Sequence, residues 1–431
     1  MVELNYRVAQ DSLAGIPDLL CLARRFFSLL AFVTMFETVQ AAPVDPILGL
    51  TDAYKADPDP NKINLGVGVY QDANGVTPVL PSVVEATRRV VAAEKTKSYL
   101  PIPGSPQYGA AVQRLMLGAE HEVIASGRGS TSHTPGGTGA LRVVGDFLKQ
   151  NLPAAKLWLT DPTWANHPAI FAAAGVATDS VPYFDSATNG LAFDALLAKL
   201  RTLPAGDAVL LHGCCHNPSG IDPTVEQWQQ IAQTLAERGV LPVLDFAYQG
   251  FGIGLEEDAQ GLREFCQTGA ELIICSSFSK NFGLYRERVG AVTFIAADAD
   301  RRDVVQSQVN RVIRTLYSNP PAHGAALVQT ILDDDALATQ WQAELAEMRT
   351  RINGMRTLLV KKLAEHGVPG DYSFIEKQLG MFSFSGLTKQ QVERLKQEHS
   401  IYMVGSGRIN VAGVSAANVD RLCAAIAAVC G

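Results

Sequence analysis

An α/β fold built on a largely parallel sheet is predicted by three observations. Short apolar runs recur at residues 156–159, 208–211, 240–244, 272–275 and 289–295, the form expected of strands buried on both faces. Helical patterns such as residues 225–238 and 258–266 lie between them, the rhythm of strands joined by crossover helices. Most runs end in polar residues: Asp161-Pro162-Thr163-Trp164, residues 212–217, Asp245-Phe246-Ala247-Tyr248 and residues 277–280. In such sheets the crevice beyond the carboxyl ends of the strands is where ligands sit.

Taken in order, the chain begins with a stretch unlike the rest. Residues 19–36 are nearly continuously apolar, broken by Arg24-Arg25. Residues 1–34 are expected to be an extension, disordered or not native, with Met35 the favoured start over a targeting peptide cleaved near Ala41. Residues 35–46 read as an extended arm, because Pro43 and Pro46 lock their own dihedrals and keep their predecessors out of the helical region. Residues 64–70 read as a strand whose glycines, Gly66 and Gly68, permit close approach of a ligand or another strand. The glycine-rich turn of residues 135–139 feeds a helix over residues 140–148, so free N–H groups and the helix dipole offer an anion site there. After Pro320-Pro321 the pattern changes to a long helix over residues 335–366, an alternating strand at residues 381–384 and a closing helix over residues 418–429. The expected division is a smaller α+β domain of residues 47–77 and 348–431 around a large domain of residues 78–347.

Composition narrows the function classes. The chain has 431 residues, 47% apolar and 18% charged, with a net charge of −7, which speaks against disorder and gives no electrostatic reason for nucleic acid. No apolar run is long enough to span a membrane. Seven cysteines without a regular framework suggest a reducing compartment and a cytoplasmic protein. Cys214-Cys215-His216 has no second ligand cluster at zinc-like spacing, so no metal is expected.

The polar strand ends carry the chemistry. Lys280 lies just past one strand and Asp245 ends another one βα unit earlier. A strand-end lysine can be no more than a solvated charge, but this pair suits pyridoxal phosphate. The amine would hold the cofactor covalently, and the carboxylate would keep its ring nitrogen protonated. Burial and nearby cations would lower the amine pKa, and Arg288 offers a fork for phosphate.

Ungapped motifs then point to a family. DPILGL, INLGVGVY, TPGGTGALR, HGCCHNPSG, DFAYQGF, SSFSKNFGLYRERVG, YSNPPAHG, GMFSFSGL and SGRINVAG resemble the class I aminotransferases of the aspartate aminotransferase subfamily, from Met35 to the C-terminus. The resemblance implies the fold type I architecture of pyridoxal-phosphate enzymes, with a mostly parallel seven-stranded sheet, and a homodimer with shared active sites. Lys280 would carry the cofactor and shuttle the proton. Asp245 would pair with the ring nitrogen, with His167 behind it, and Trp164 would stack on the ring. Tyr248 and Asn217 would donate to the ring oxygen. Ser277, Arg288, Gly137 and Thr138 would bind phosphate, joined by Tyr99 of the neighbouring subunit. Gly68, Trp164 and Asn217 would contact substrate; Arg408 would clamp its α-carboxylate, and Arg314, reaching across the interface, its side-chain carboxylate.

Two carboxylate clamps imply a dicarboxylate. Val69, Thr77, Thr138 and Asn319 resemble the aspartate branch, whereas residues 183–190 and 202–205 resemble the aromatic branch and are expected away from the pocket. Ser98 matches neither. The expected reaction is amino transfer from L-aspartate to 2-oxoglutarate. The alternatives are an aromatic amino acid aminotransferase, a β-lyase or decarboxylase on the same scaffold, or a non-catalytic cofactor-binding protein.

Overall fold

Seven segments pair into one sheet: β1 (Gly129–Pro135), β2 (Leu157–Asp161), β3 (Thr178–Pro182), β4 (Ala208–His212), β5 (Leu241–Phe246), β6 (Leu272–Ser277) and β7 (Val289–Ile295), in spatial order β1-β7-β6-β5-β4-β2-β3. β7 is antiparallel to both its neighbours, and every other pairing is parallel. The interior strands β4 to β7 are buried almost throughout, which is why the sequence marks them with apolar runs. The two strands without such runs, β1 and β3, are the sheet edges. β1 is built from small polar residues, and Thr131 Oγ1 meets Thr293 Oγ1 at 2.8 Å, so pairing to β7 replaces the apolar signal.

This computed structural model describes residues 35–42 and 46–431. The expectations for residues 1–34 and for residues 43–45 of the arm lie outside the described residues. Residues 46–431 form one compact unit. Among the described residues, no helix is long and apolar enough to cross a membrane.

Helix α1 (Gly136–Asn151) begins earlier than expected, so the glycines of the turn form its first turn. Helix α2 (Val225–Arg238) matches its sequence pattern because both ends are specified. Thr224 and Gln227 form a capping box, and Gly239 closes the helix in the left-handed conformation. Helix α3 (Ala299–Leu316) ends beside Arg314, and helix α4 (Asp335–Glu365) is the long C-terminal helix. Trp341 on α4 donates its indole N–H to the Asn281 carbonyl at 2.8 Å and stacks on Phe282, which fixes the turn that follows Lys280.

The strand expected at residues 64–70 is a correction. Only Ile63–Asn64 pairs, in parallel with Ile401–Tyr402; Leu65 still bonds to the Tyr402 carbonyl and the Asn410 N–H, and beyond it the carbonyls of residues 66, 67 and 69 bond to side chains instead of a ladder. Phe382–Phe384 pairs with Arg408–Asn410 and is buried on both faces, so its alternation of aromatic and serine residues does not separate an inside from an outside.

Six described cysteines are free thiols. Cys214, Cys215 and Asp258 converge, but burial pushes the Cys214 thiol up to about 12. The Asp258 carboxylate already accepts from the N–H groups of Gly250, Gly252 and Ile253 at 2.8–2.9 Å, so its work is to hold the loop after Tyr248.

His133 on β1 is buried with neither ring nitrogen partnered by protein, against the Tyr108 ring at 4.9 Å. Burial lowers its pKa from 6.5 to about 4. Across that window the unfolded chain binds the proton and the folded chain does not, so stability should fall as pH drops from 6.5 towards 4. The loss should be on the order of 3 kcal/mol at the acid end. Urea unfolding of the parent and of His133→Gln across this window checks it: the variant should lose that part of the slope, and parallel curves would refute it.

Candidate active site

Neighbouring strands β4, β5 and β6 bring their carboxyl ends together, with His212 opposite Asp245 and Phe246 opposite Ser276. The turns leaving them supply Asn217, Tyr248 and Lys280. Trp164 and His167 follow β2, and the first turn of α1 faces the same crevice. The result is a cavity of about 270 Å³ lined by protein from the middle and both ends of the chain.

Of the expected site residues, Gly68, Gly137, Thr138, Trp164, Asn217 and Asp245 line this cavity. So do Tyr248, Ser277, Lys280, Arg288 and Arg408. His167 lies one layer behind, where its Nε2 meets Asp245 Oδ2 at 3.0 Å and its Nδ1 meets Thr163 Oγ1 at 2.7 Å. An ionised carboxylate can only accept, so Nε2 carries a hydrogen and donates it to Asp245. Burial alone would raise the Asp245 pKa, but the hydrogen bond and electrostatic attraction of His167, with His212 and then Lys280 behind it, outweigh it and hold the carboxyl below its ordinary value. Asp245 is therefore an anion facing the cavity.

Burial lowers the Lys280 amine from its usual range; Asp245 opposes the shift and the Arg288 guanidinium adds to it. The amine lies 4.8 Å from the centre of the Tyr248 ring. At the opposite end, Gly136 adopts φ +72°, and a Cβ there would fall 2.5 Å from Arg288 Nη2. Only glycine admits that approach. Ser277, Ser279, Arg288 and the α1 N-terminus thus form a cradle of donors, and Arg288 reaches Ser279 Oγ at 3.4 Å. This donor set suits a phosphate.

Arg408 is 5% exposed. Its Nη2 donates to the Gly66 carbonyl at 2.6 Å and its Nη1 to Asn217 Oδ1 at 3.4 Å, while Nε has no partner. The guanidinium sits 4.5 Å over the Phe382 ring. A buried cation without a carboxylate partner and with an unused donor is prepared for an anionic ligand.

Tyr99 and Arg314 stand apart. Tyr99 is 91% exposed, and Arg314, on the last turn of α3, donates to Ser318 Oγ. Neither lines the cavity of its own chain.

The site also holds residues that sequence reasoning missed. His212 ends β4, level with Asp245 on β5; the sequence reading places it among the polar strand ends but gives it no role. Both its ring nitrogens are unpartnered, and burial lowers its pKa to about 3. Tyr285 and Phe382 carried no local signal. Tyr183 stacks on His216 at 3.9 Å, and none of residues 183–190 lines the cavity, as expected for that segment.

The family described as aminotransferase class I and II matches residues 60–426. The chain belongs to this family. Among its relatives, an enzyme named aspartate aminotransferase from Salmonella typhi is 54% identical over 395 residues, covering 92% of this aminotransferase and 100% of the relative. One named aromatic-amino-acid aminotransferase from Pseudomonas aeruginosa is 49% identical, covering 92% and 99%. The crystal structure of an aromatic-amino-acid aminotransferase from Burkholderia pseudomallei, covalently bound to pyridoxal phosphate, superposes with a TM-score of 0.90 at 47% identity, covering 92% of this aminotransferase and 100% of that chain.

Proposed function

We propose that this aminotransferase moves the amino group of L-aspartate to 2-oxoglutarate in two half-reactions, with pyridoxal phosphate held by Lys280. The observation that carries the reading is the unpaired Arg408 guanidinium opening onto the same cavity as Lys280 and Asp245. An amino acid must bring its α-carboxylate and its amine to one place, and these residues offer a cation for the first and a reactive centre for the second. The names of relatives at 54% identity add the preference for aspartate.

The residues present fit the cofactor: a donor cradle for phosphate at one end, an anion at the Asp245 position and an amine between. Bound pyridoxal phosphate supplies an electron sink for the substrate α-carbon. The remaining work is done by the chain. The Ser277, Ser279 and Arg288 donors with the α1 N-terminus would hold the phosphate. Asp245, oriented by His167, would keep a proton on the ring nitrogen. Trp164 would cover the ring, and Tyr248 and Asn217 would donate to its oxygen. Arg408 fixes the substrate α-carboxylate. The Lys280 amine, its pKa lowered by burial, would take the α-carbon proton and return it.

The protein works in this proposal as a cytoplasmic homodimer. Tyr99, exposed in its own chain, would reach the partner's phosphate site, and Arg314 would bind the side-chain carboxylate there. Residues 47–77 and 348–431 would act as the smaller domain and residues 78–347 as the larger. A second reading, aromatic amino acid transfer, is favoured by the likeness to the Burkholderia pseudomallei enzyme. Specificity constants for aspartate, tyrosine and phenylalanine with 2-oxoglutarate decide between them. Aspartate should be preferred by at least about tenfold, a difference of roughly 1.4 kcal/mol; preference for either aromatic substrate would overturn the assignment.

A further inference from the structure

Residues 65–70 carry Gly68 into the cavity without belonging to any sheet, and their backbone groups are divided between two sides. On one side, the Leu65 carbonyl accepts from the Asn410 backbone N–H at 2.7 Å. The Val67 and Val69 carbonyls both accept from Asn410 Nδ2, at 2.6 and 2.7 Å. On the other side, the Gly66 carbonyl accepts from Arg408. The end of the segment is held by Tyr285, whose hydroxyl oxygen accepts the Tyr70 N–H at 2.8 Å.

In an extended chain successive peptide groups point in opposite directions. With the carbonyls of residues 65, 67 and 69 turned to Asn410, the alternation turns the Gly68 N–H towards the cavity, the side on which Gly66 meets Arg408. A Cβ on Gly68 would lie 3.4 Å from the Phe382 ring, so the segment passes close to the pocket wall. Asn410 is 2% exposed, spends both hydrogens of its amide on this segment, and accepts from the Ala412 N–H at 3.1 Å with its oxygen. It lies two residues beyond Arg408 on the same strand, so both are presented on one face.

We propose that Asn410 and Tyr285 are positioning residues for the substrate α-carboxylate. Asn410 sets the register of residues 65–69 against Arg408, and Tyr285 anchors the segment at Tyr70 to the stretch that carries Lys280. Together they hold the Gly68 peptide where it can share the carboxylate with Arg408. Loss of either lets the segment slacken and weakens the binding of any ligand that uses Arg408. The inference rests on the proposed role of Arg408.

Tyr285→Phe deletes one oxygen and Asn410→Ser removes the amide. In the cofactor-loaded enzyme, each should raise KM for aspartate and for phenylalanine by a similar factor of about fivefold, the size of one lost hydrogen bond. The Kd of succinate, a dicarboxylate with no amino group, should rise in step, read from the change in cofactor absorbance on binding. The kcat and cofactor retention after gel filtration should stay near the parent values, and so should the unfolding midpoint of Tyr285→Phe. An unchanged succinate Kd, or an effect confined to kcat or cofactor retention, overturns the proposal. Should Asn410→Ser fail to fold, Tyr285→Phe decides alone. If the parent rejects aspartate, the proposed reaction fails, but the comparison is still read with whichever amino acid it accepts, since all carry the α-carboxylate.

Discussion

Lys280→Ala is expected to keep the cofactor and lose multiple turnover by about four orders of magnitude or more. The donors of Ser277, Ser279 and Arg288 and the anion at Asp245 do not depend on the amine, so the groups proposed to bind cofactor noncovalently remain. What disappears is the amine proposed to take the α-carbon proton. Asp245 would not substitute, because in the proposed arrangement its carboxylate, bonded to His167, is committed to the ring nitrogen. Tyr248 cannot either, since burial raises its pKa far above the working range. Cofactor content of the gel-filtered variant and its steady-state rate are the measurements. Normal multiple turnover would remove Lys280 from the mechanism.

Arg314→Leu should lower kcat/KM for aspartate by about a hundredfold, within the 2–5 kcal/mol range for removing one partner of a buried charge pair. Phenylalanine, with no side-chain carboxylate, should change by no more than about threefold, a few tenths of that free energy. In its own chain the arginine sits on the last turn of α3, outside the cavity that holds Lys280. An exposed guanidinium of this kind would contribute about 0–1 kcal/mol if it merely paired on the surface. The difference between the two substrates therefore separates a clamp supplied to a partner from a surface charge. Equal losses would show that it recognises no side chain. This selectivity also distinguishes it from Tyr285 and Asn410, whose loss should penalise both amino acids alike.

The sheet was legible where burial on both faces demands apolar residues. Residues 208–211, 272–275 and 289–295 each announce a strand that the structure extends by at most two residues at either end. β3 stayed hidden because this edge strand is largely exposed, and β1 because its buried positions are filled by small polar residues instead of apolar ones. Helix α2 could be bounded because its caps are local, whereas residues 64–70 read as a strand because nothing in them says that side chains such as Asn410, more than three hundred residues later, supply hydrogen bonds to residues 67 and 69. Lys280 and Asp245 were visible as polar residues at strand ends. His212 obeyed the same rule but was given no role.

The sequence by itself determined the strand order in time, the polar strand ends and the reactive pair, Lys280 with Asp245, because each depends on local apolar patterning and residue chemistry. Its motifs also carried the family. Only the tertiary structure decided which strands are neighbours, and so which polar ends share one crevice. It decided that His167 bonds to Asp245 and that the turn at Gly136 admits Arg288. It also joined Arg408 and Asn410 to a segment near the other end of the chain. These are contacts between residues far apart in sequence, and their energies depend on burial and geometry that exist only after the sheet and the C-terminal segments have packed.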